Sequence, residues 1–278
     1  MAAGPRITVI GAGRLGEALI RGLLDSRTTA KGDLHATVAS TERAELLRER
    51  YGVRATSGSN REGAANCDVL ILGVKPGKVD GVLSELAGGL RIEQKIVSMA
   101  AAVPIAAIEK RTPRGAAVFR AMPNIAMTVG ESATALCSND VAREEDRRVV
   151  DGIFATVGSV EWVDEGAMDA VTALSGSGVA FVFHALGALT EGGEKAGLEK
   201  DAAYRLAHQT LLGAARLAAQ TELSPEQWIE QVKTPGGTTV AGLNALERRE
   251  SRDAFVEAVE AAARRAAEIR EELTNSLR

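Results

Sequence analysis

The chain has 278 residues, 45% of them hydrophobic and 25% charged, which is normal for a soluble globular protein of one large or two ordinary domains. Its net charge of −4 and its pI of about 5.6 give no reason to expect a nucleic acid or an anionic membrane as partner. No apolar run is expected to reach the length of a membrane span. The N-terminus lacks the order of a signal peptide, and Cys67 and Cys137 form no metal or redox motif. We therefore expect a cytoplasmic protein with buried, reduced thiols and no metal site.

The first elements of the chain carry a dinucleotide-binding pattern. Residues 6–10 read as a buried strand, and glycines follow at once as G-x-G-x-x-G at Gly11, Gly13 and Gly16, before leucines that keep one helical face. In this context Gly11 is expected to make the tight turn and Gly13 to let a pyrophosphate approach. Gly16 is expected to let the helix and the strand pack closely. The pattern predicts a dinucleotide site.

The second predicted strand, residues 35–40, ends where an NAD-preferring site would carry an acidic residue for the ribose diol. This chain has Ser40, Thr41, Glu42 and Arg43 there. Small hydroxyls and a guanidinium suit a 2′-phosphate, so we predict NADPH as the cofactor and NADH as the alternative. Two other interpretations remain open: Glu42 turns to the ribose, or Glu42 and Arg43 only solvate the first turn of the next helix.

Strands alternate with helical segments up to residue 163. Further strands are predicted at residues 68–74, 95–100, 116–122, 132–138 and 159–163, with a helix at 142–156. This alternation predicts an α/β Rossmann domain over residues 1–163, with a mainly parallel, doubly wound sheet. Ligands of such sheets bind beyond the carboxyl ends of the strands. The loops at Gly11–Gly16, Lys75-Pro76, Ala100-Ala101 and Met122–Asn124 should therefore converge on one cleft.

Strand signals vanish in residues 164–278, which predicts an all-α substrate-binding and dimerisation domain. Helices are expected at residues 179–196, 202–220 and 252–273, with a short one after Ser224, whose pattern is that of a capping box. Residues 233–239 read as a glycine-rich turn. Between two apolar stretches, Ser175–Gly178 predicts a helix start whose free N–H groups suit a substrate carboxylate, with an ordinary interhelical loop as the alternative.

Four motifs together resemble the pyrroline-5-carboxylate reductase family over essentially the whole chain. They are Gly73-Val-Lys-Pro76, Met122-Pro-Asn124, Asp169–Gly178 and Pro235-Gly-Gly-Thr-Thr239. That family reduces the cyclic imino acid 1-pyrroline-5-carboxylate to L-proline, the last step of proline biosynthesis, with a nicotinamide cofactor. It pairs helical domains into an interlocked dimer and often builds a ring of five dimers. The resemblance therefore implies a homodimer through the helical domain and a decamer as a further assembly.

The resemblance and the residue patterns together assign two sets of contacts. The cofactor contacts are Ile10, Gly11, Ala12, Gly13, Arg14, Leu15, Gly16, Ser40, Thr41, Arg43, Asn60, Gly73, Val74, Lys75, Pro76, Met99, Ala100, Ala101, Met122, Pro123 and Asn124. The substrate contacts are Glu165, Ser175, Gly176, Ser177, Gly178, Thr238 and Thr239. Five positions depart from the family pattern: Ala102 replaces a glycine, Ile125-Ala126 replaces Thr-Pro, Val179 replaces a proline, Phe181 a tyrosine and Gln231 an asparagine. These departures bear on the identity of the substrate.

Reduction of a cyclic imine needs little acid–base chemistry from the protein. Hydride goes to the imine carbon, and a substrate that arrives as iminium has mainly to be positioned and desolvated. By the resemblance, the Thr239 hydroxyl meets the ring nitrogen, with a local cap as its alternative role. A 3-hydroxyacid dehydrogenase would carry a lysine one turn into the helix that begins at Val179, and this chain has none there. The remaining alternatives are a reductase of another cyclic imino acid and a non-enzymatic NADPH-binding sensor.

Overall fold

The computed structural model describes residues 4–276, and in this part of the chain it contains an eight-stranded sheet. The strands are β1 (Ile7–Ile10), β2 (Leu34–Val38), β3 (Arg54–Ser57), β4 (Val69–Leu72), β5 (Lys95–Ser98), β6 (Val118–Met122), β7 (Ser132–Ser138) and β8 (Gly158–Trp162). Their order is β3-β2-β1-β4-β5-β6-β7-β8, and every neighbouring pair is parallel except β6 and β7. The predicted mainly parallel Rossmann sheet is confirmed. The short strand β3 was not predicted, because only one of its four residues is apolar.

Helices connect the strands and then form the C-terminal part. They are α1 (Arg14–Asp25), α2 (Thr41–Tyr51), α3 (Asn60–Ala65), α4 (Val79–Leu86), α5 (Ile105–Glu109), α6 (Glu144–Phe154), α7 (Met168–Val171), α8 (Gly178–Lys195), α9 (Lys200–Ala219), α10 (Pro225–Val232), α11 (Thr238–Arg248) and α12 (Ser251–Ser276). The capping box at Ser224 is present, with bonds in both directions between Ser224 and Gln227. Helix α11 was not predicted, since its N-cap is Gly237, which carries no capping side chain.

Two apolar clusters cover the two faces of the sheet, as a doubly wound fold requires. One joins Val9 and Ile71 to Leu19 of α1, Leu47 of α2 and Phe154 of α6. The other joins strand residues that point to the opposite face, such as Ile10, Leu72 and Ile96, to Leu83 of α4 and Ile108 of α5. Because strand side chains alternate between the faces, the buried strands β1 and β4, which are apolar except at Thr8, supply both clusters at once.

The described chain divides into two compact units. Within residues 4–276, one comprises residues 4–176 with 262–276, and the other comprises Ser177–Ala261. The first contains the sheet, and it includes the C-terminal part of α12, where Arg270 donates to Asp169 at 2.9 Å. The second is purely helical, and in it α8 packs along α9. The proposed domain boundary at residue 163 lies one residue beyond the end of β8.

The segment Ser175–Gly178 is not a helix start, and that expectation is wrong. Thr172–Ser177 forms a π-helix between α7 and α8, and Ser177 has helical dihedral angles (φ −80°, ψ −31°) with no capping bond from its side chain. Serine and glycine are weak helix formers. Here a π-helical turn joins α7 to α8 without interrupting the helix. Such turns are often found at functional sites.

This continuity also overturns the expectation about apolar length. Residues Glu165–Lys195 form 31 residues of consecutive helix, with an 18-residue window of mean hydropathy 1.5, which is long and apolar enough to cross a membrane. Only 11% of that window is buried in the single chain.

Candidate dinucleotide and substrate site

The loops that follow β1, β4 and β5 meet at one edge of the sheet. The amide of Gly73 donates to the carbonyl of Ile10 at 2.7 Å, and the amide of Met99 donates to that of Leu72 at 2.9 Å. On the other side, Gly11 donates to the carbonyl of Thr37 at 2.8 Å. This edge includes the point between β1 and β4 where the strand order reverses, which is where ligands of such sheets bind.

The three glycines of the first loop have the geometry that a pyrophosphate cradle needs. Gly11 has a φ of +83°, and a Cβ there would lie 2.6 Å from Val74 Cγ1. At Gly16 a Cβ would lie 3.2 Å from Val9 Cγ1, so helix and strand approach closely. A Cβ at Gly13 would meet no atom nearer than 4.0 Å, so this glycine leaves open space over the first turn of α1. The first amides of α1 have no intrahelical partner and suit an anion there.

The residues proposed for the adenosine end surround the start of α2. The Ser40 hydroxyl accepts from the Arg43 amide at 3.3 Å, so it caps the helix. Thr41 shares a hydrogen bond with Ser57. The Arg43 guanidinium reaches back to the glycine-rich loop, where it contacts Ala12. All three proposed residues therefore make hydrogen bonds within the protein at this edge of the sheet.

The other proposed cofactor residues differ in exposure and in how many of their hydrogen-bonding groups are already occupied. Both ends of the Asn60 amide are occupied, because Thr37 donates to its oxygen and its nitrogen donates to Glu85, each at 2.7 Å. Lys75 is exposed, and Pro76 begins a short 3-10 turn rather than ending β4 directly. Met99 and Ala100 are buried at the end of β5.

Ala102 carries backbone strain beside this edge. Its φ is +63°, in the left-handed region that favours glycine, and its side chain is buried. The family pattern has glycine at this position. Alanine in that region costs on the order of 1–2 kcal/mol.

We expect Ala102→Gly to leave the free energy of unfolding unchanged or to raise it by up to ~1 kcal/mol, since relief of strain offsets the lost methyl and the added chain entropy. Ala101→Gly is the matched control, because Ala101 has no positive φ. It should destabilise by ~0.5–1 kcal/mol. Urea unfolding of both variants gives the comparison, and equal losses would contradict the assignment of strain to Ala102.

The end of β6 is bound to the π-helical segment. The Asn124 side chain donates to the carbonyl and the hydroxyl of Ser175, each at 3.3 Å, and the Ser175 hydroxyl donates to the carbonyl of Ala133 at 2.8 Å. A Cβ on Gly176 would lie 3.0 Å from Met122 Cε. The first unit therefore brings the proposed residues Met122, Asn124, Ser175 and Gly176 together.

Glu165, proposed for the substrate, is held by a residue that was not predicted. Its Oε1 accepts from Arg120 Nη1 at 3.0 Å and from the Ile105 amide at 2.7 Å. The Arg120 side chain is 5% exposed, and its Nε is buried without a partner among the described residues. The only signal in the sequence was a charged residue inside the apolar run 116–122. That signal shows that Arg120 needs a partner but does not show which one.

The remaining proposed substrate residues lie in the helical unit. Ser177 and Gly178 stand where the π-helix passes into α8, and Thr238 and Thr239 form the first turn of α11. Thr239 lines a cavity of 420 Å³ inside this unit whose other lining residues are apolar, among them Leu217, Trp228 and Leu243.

Neither a reactive thiol nor a metal-binding cluster is found among residues 4–276. Cys67 and Cys137 are free and buried, and burial raises the pKa of both thiols, that of Cys137 to about 11. Both therefore stay protonated near neutral pH. Within residues 4–276, no three His, Cys, Asp or Glu side chains are grouped to hold a metal ion.

A Rossmann sheet with an open glycine-rich cradle defines a dinucleotide-binding protein. Residues 6–102 match the family model of the coenzyme F420-dependent NADP oxidoreductases, and residues 165–269 match that of pyrroline-5-carboxylate reductase dimerisation. The pyrroline-5-carboxylate reductase of Synechocystis is 40% identical over 264 residues, which cover 95% of this chain and 98% of the relative. The chain belongs to the pyrroline-5-carboxylate reductase family, and the resemblance inferred from the motifs is confirmed.

Solved structures agree with this assignment. The pyrroline-5-carboxylate reductase of Coxiella burnetii has a TM-score of 0.90 and 36% identity, over 95% of this chain and 98% of that one. The Plasmodium falciparum enzyme, solved with NADP bound, has a TM-score of 0.83 and 27% identity over the same shares.

Proposed function

We propose that this chain reduces 1-pyrroline-5-carboxylate to L-proline with NADPH as the hydride donor. The observation that carries the proposal is the pair of hydrogen bonds from Asn124 to Ser175. They fix the segment proposed for the substrate to the carboxyl end of β6, at the edge of the sheet that carries the glycine-rich loop. Membership of the family supports the reaction.

The residues of this chain have separate tasks in the proposed reaction. When bound, the reduced nicotinamide supplies the hydride that the imine carbon accepts. The loop Gly11–Gly16 holds the pyrophosphate, and Gly73–Pro76 and Met99–Ala101 flank it. Because Ser175–Gly178 is not a helix N-terminus, we propose that the Ser177 hydroxyl at the end of the π-helix, rather than a row of free amides, donates to the substrate carboxylate. Ser175, whose hydroxyl already donates to Ala133, holds this segment in place.

NADPH is the proposed cofactor, and NADH is the alternative donor. The guanidinium of Arg43 at the glycine-rich loop supports a 2′-phosphate, and Glu42, exposed in the first turn of α2, is the group that would favour a free ribose diol. Its pKa is lowered by hydrogen bonds from its own backbone amide and from Ser40.

We further propose a cytoplasmic homodimer formed through the helical unit, with a decamer as a larger assembly, and no nucleic acid or membrane partner. The support is a broad apolar surface on that unit in the single chain. Exposed members include Val182, Phe183, Leu189, Leu206 and Phe255. They lie within residues 165–269, the dimerisation region of the family, so a second copy is the proposed cover for the long apolar helix.

A turnover assay tests the function. Purified protein is expected to oxidise NADPH in the presence of 1-pyrroline-5-carboxylate, and more slowly with a six-membered cyclic imino acid. Both imines are assayed side by side, with NADPH and with NADH. Faster turnover of the six-membered ring would favour the other-imine alternative. NADPH binding without turnover of either imine would favour a sensor, and the proposed reaction would then be wrong.

A further inference from the structure

The carboxylate of Glu17 joins α1 to α2 just beyond the glycine-rich loop. Its Oε2 accepts from Arg43 Nη2 at 2.5 Å, and its Oε1 accepts from Arg50 Nη1 at 2.7 Å and from the Tyr51 hydroxyl at 2.8 Å. The Glu17 side chain is only 15% exposed. Burial on its own raises the pKa of Glu17, but the hydrogen bonds from Arg43, Tyr51 and Arg50 lower it below the usual value, so the group is ionised at neutral pH.

The same guanidinium also contacts the loop that forms the cradle. Arg43 Nε and Nη2 both donate to the carbonyl of Ala12 at 3.3 Å, and Nη2 lies 3.4 Å from the carbonyl of Gly13. Two guanidinium groups share one carboxylate, so the cluster keeps a net positive charge. It stands at the carboxyl ends of β1 and β2, where the adenosine ribose of a dinucleotide lies in this fold.

We propose that Glu17 is a positioning residue for cofactor choice: it holds Arg43 against the glycine-rich loop, ready for a 2′-phosphate, without touching the cofactor itself. The proposal rests on the nicotinamide-dependent function proposed above. Arginine has a long side chain with large rotamer entropy, and a fixed guanidinium loses less of it when a phosphate binds.

Charge repulsion and positioning predict opposite effects of Glu17 on NADPH binding. A carboxylate near a phosphate is repulsive, so its removal by charge alone would tighten NADPH binding. If Glu17 acts by positioning, its neutralisation weakens NADPH binding instead. NADH has no 2′-phosphate, so neither effect should change its affinity strongly.

The experiment is direct titration of the full-length protein with NADPH and with NADH, without substrate, followed by nucleotide fluorescence. Glu17→Gln keeps the shape of the side chain and removes its charge. We expect its Kd for NADPH to rise about fivefold, because the guanidinium of Arg43 loses its anionic acceptor and keeps only a weaker bond to a neutral amide oxygen. Its Kd for NADH should stay within about twofold.

A double-variant cycle tests whether the effect passes through Arg43. Arg43→Ala alone should raise the Kd for NADPH about tenfold or more and leave that for NADH nearly unchanged. Glu17→Gln added to Arg43→Ala should have no further effect. Glu49→Gln is the control, since it removes the same charge from an exposed position on α2 and should change neither Kd.

Three results would overturn the proposal: tighter NADPH binding in Glu17→Gln, equal losses for both cofactors, or an effect of Glu17→Gln that persists without Arg43. Thermal unfolding shows whether each variant is folded. If Glu17→Gln does not fold, Tyr51→Phe removes one donor to the carboxylate and should raise the Kd for NADPH by a smaller factor, and an unchanged Kd there would overturn it too. A wild-type protein that binds neither nucleotide would contradict the proposed function instead.

Discussion

Replacing Glu165 by alanine should lower the free energy of unfolding by ~2–4 kcal/mol. The substitution leaves the buried guanidinium of Arg120 without the carboxylate that it contacts at 3.0 Å. Loss of one partner of a fully buried ion pair costs about 3–5 kcal/mol. The lower range applies here because Glu165 is 37% exposed, so water can approach the site. Urea unfolding measures the change.

The double variant Arg120→Met/Glu165→Ala separates the cost of an unpaired buried guanidinium from the other effects of removing the Glu165 side chain. Methionine fills similar space and carries no charge, so the double variant should be more stable than Glu165→Ala alone. The exposed pair of Arg148 and Glu144 on α6 supplies a matched control, and Glu144→Ala should cost less than ~0.5 kcal/mol. A double variant that is less stable than Glu165→Ala would show that Arg120 contributes mainly by packing.

The Rossmann half of the molecule was predictable because its signals are local. Every residue of β1 and β4 is buried and all but Thr8 are apolar, as expected for strands that helices cover on both faces. The glycines at 11, 13 and 16 follow β1 directly, and their spacing alone indicates which must turn, which must stay open and which must pack. Strand ends differed from prediction by one or two residues, where hydrogen bonding rather than composition sets the limit.

The features that were missed depend on contacts between residues far apart in sequence. Arg120 and Glu165 are separated by 45 residues, and Arg43 and Glu17 by 26. A charge pattern shows that such side chains need partners but not which ones meet. The π-helix is a similar case, because bonds that Ser175 makes with Asn124 and Ala133 keep a Ser-Gly segment helical against its local propensity.

Replacing Thr239 by valine keeps the β-branched shape of the side chain and removes its hydroxyl. If that hydroxyl meets the imine nitrogen in the transition state, kcat should fall roughly five- to a hundredfold, since one such hydrogen bond is worth on the order of 1–3 kcal/mol. The Kd for NADPH and the thermal midpoint should persist. Steady-state kinetics with 1-pyrroline-5-carboxylate and a direct NADPH titration provide the two measurements.

Thr239→Ser is the matched variant, because it restores the hydroxyl and removes only the methyl group. It should recover most of kcat. A Thr239→Val protein that unfolds early but turns over normally in the cold would instead identify Thr239 as a structural cap.

The local structure around Thr239 argues against a capping role for its hydroxyl. The turn before α11 closes through its backbone, where the Gly237 amide donates to the Thr234 carbonyl at 2.9 Å, and Gly236 supplies the φ of +70°. The N-cap is Gly237, and the Thr239 hydroxyl makes no hydrogen bond to another residue in the part of the chain that the structure describes. It is also the one hydroxyl in the lining of an otherwise apolar cavity, where a valine methyl meets apolar neighbours. The turn therefore does not need this hydroxyl, and its removal should be felt in the chemistry rather than in the fold.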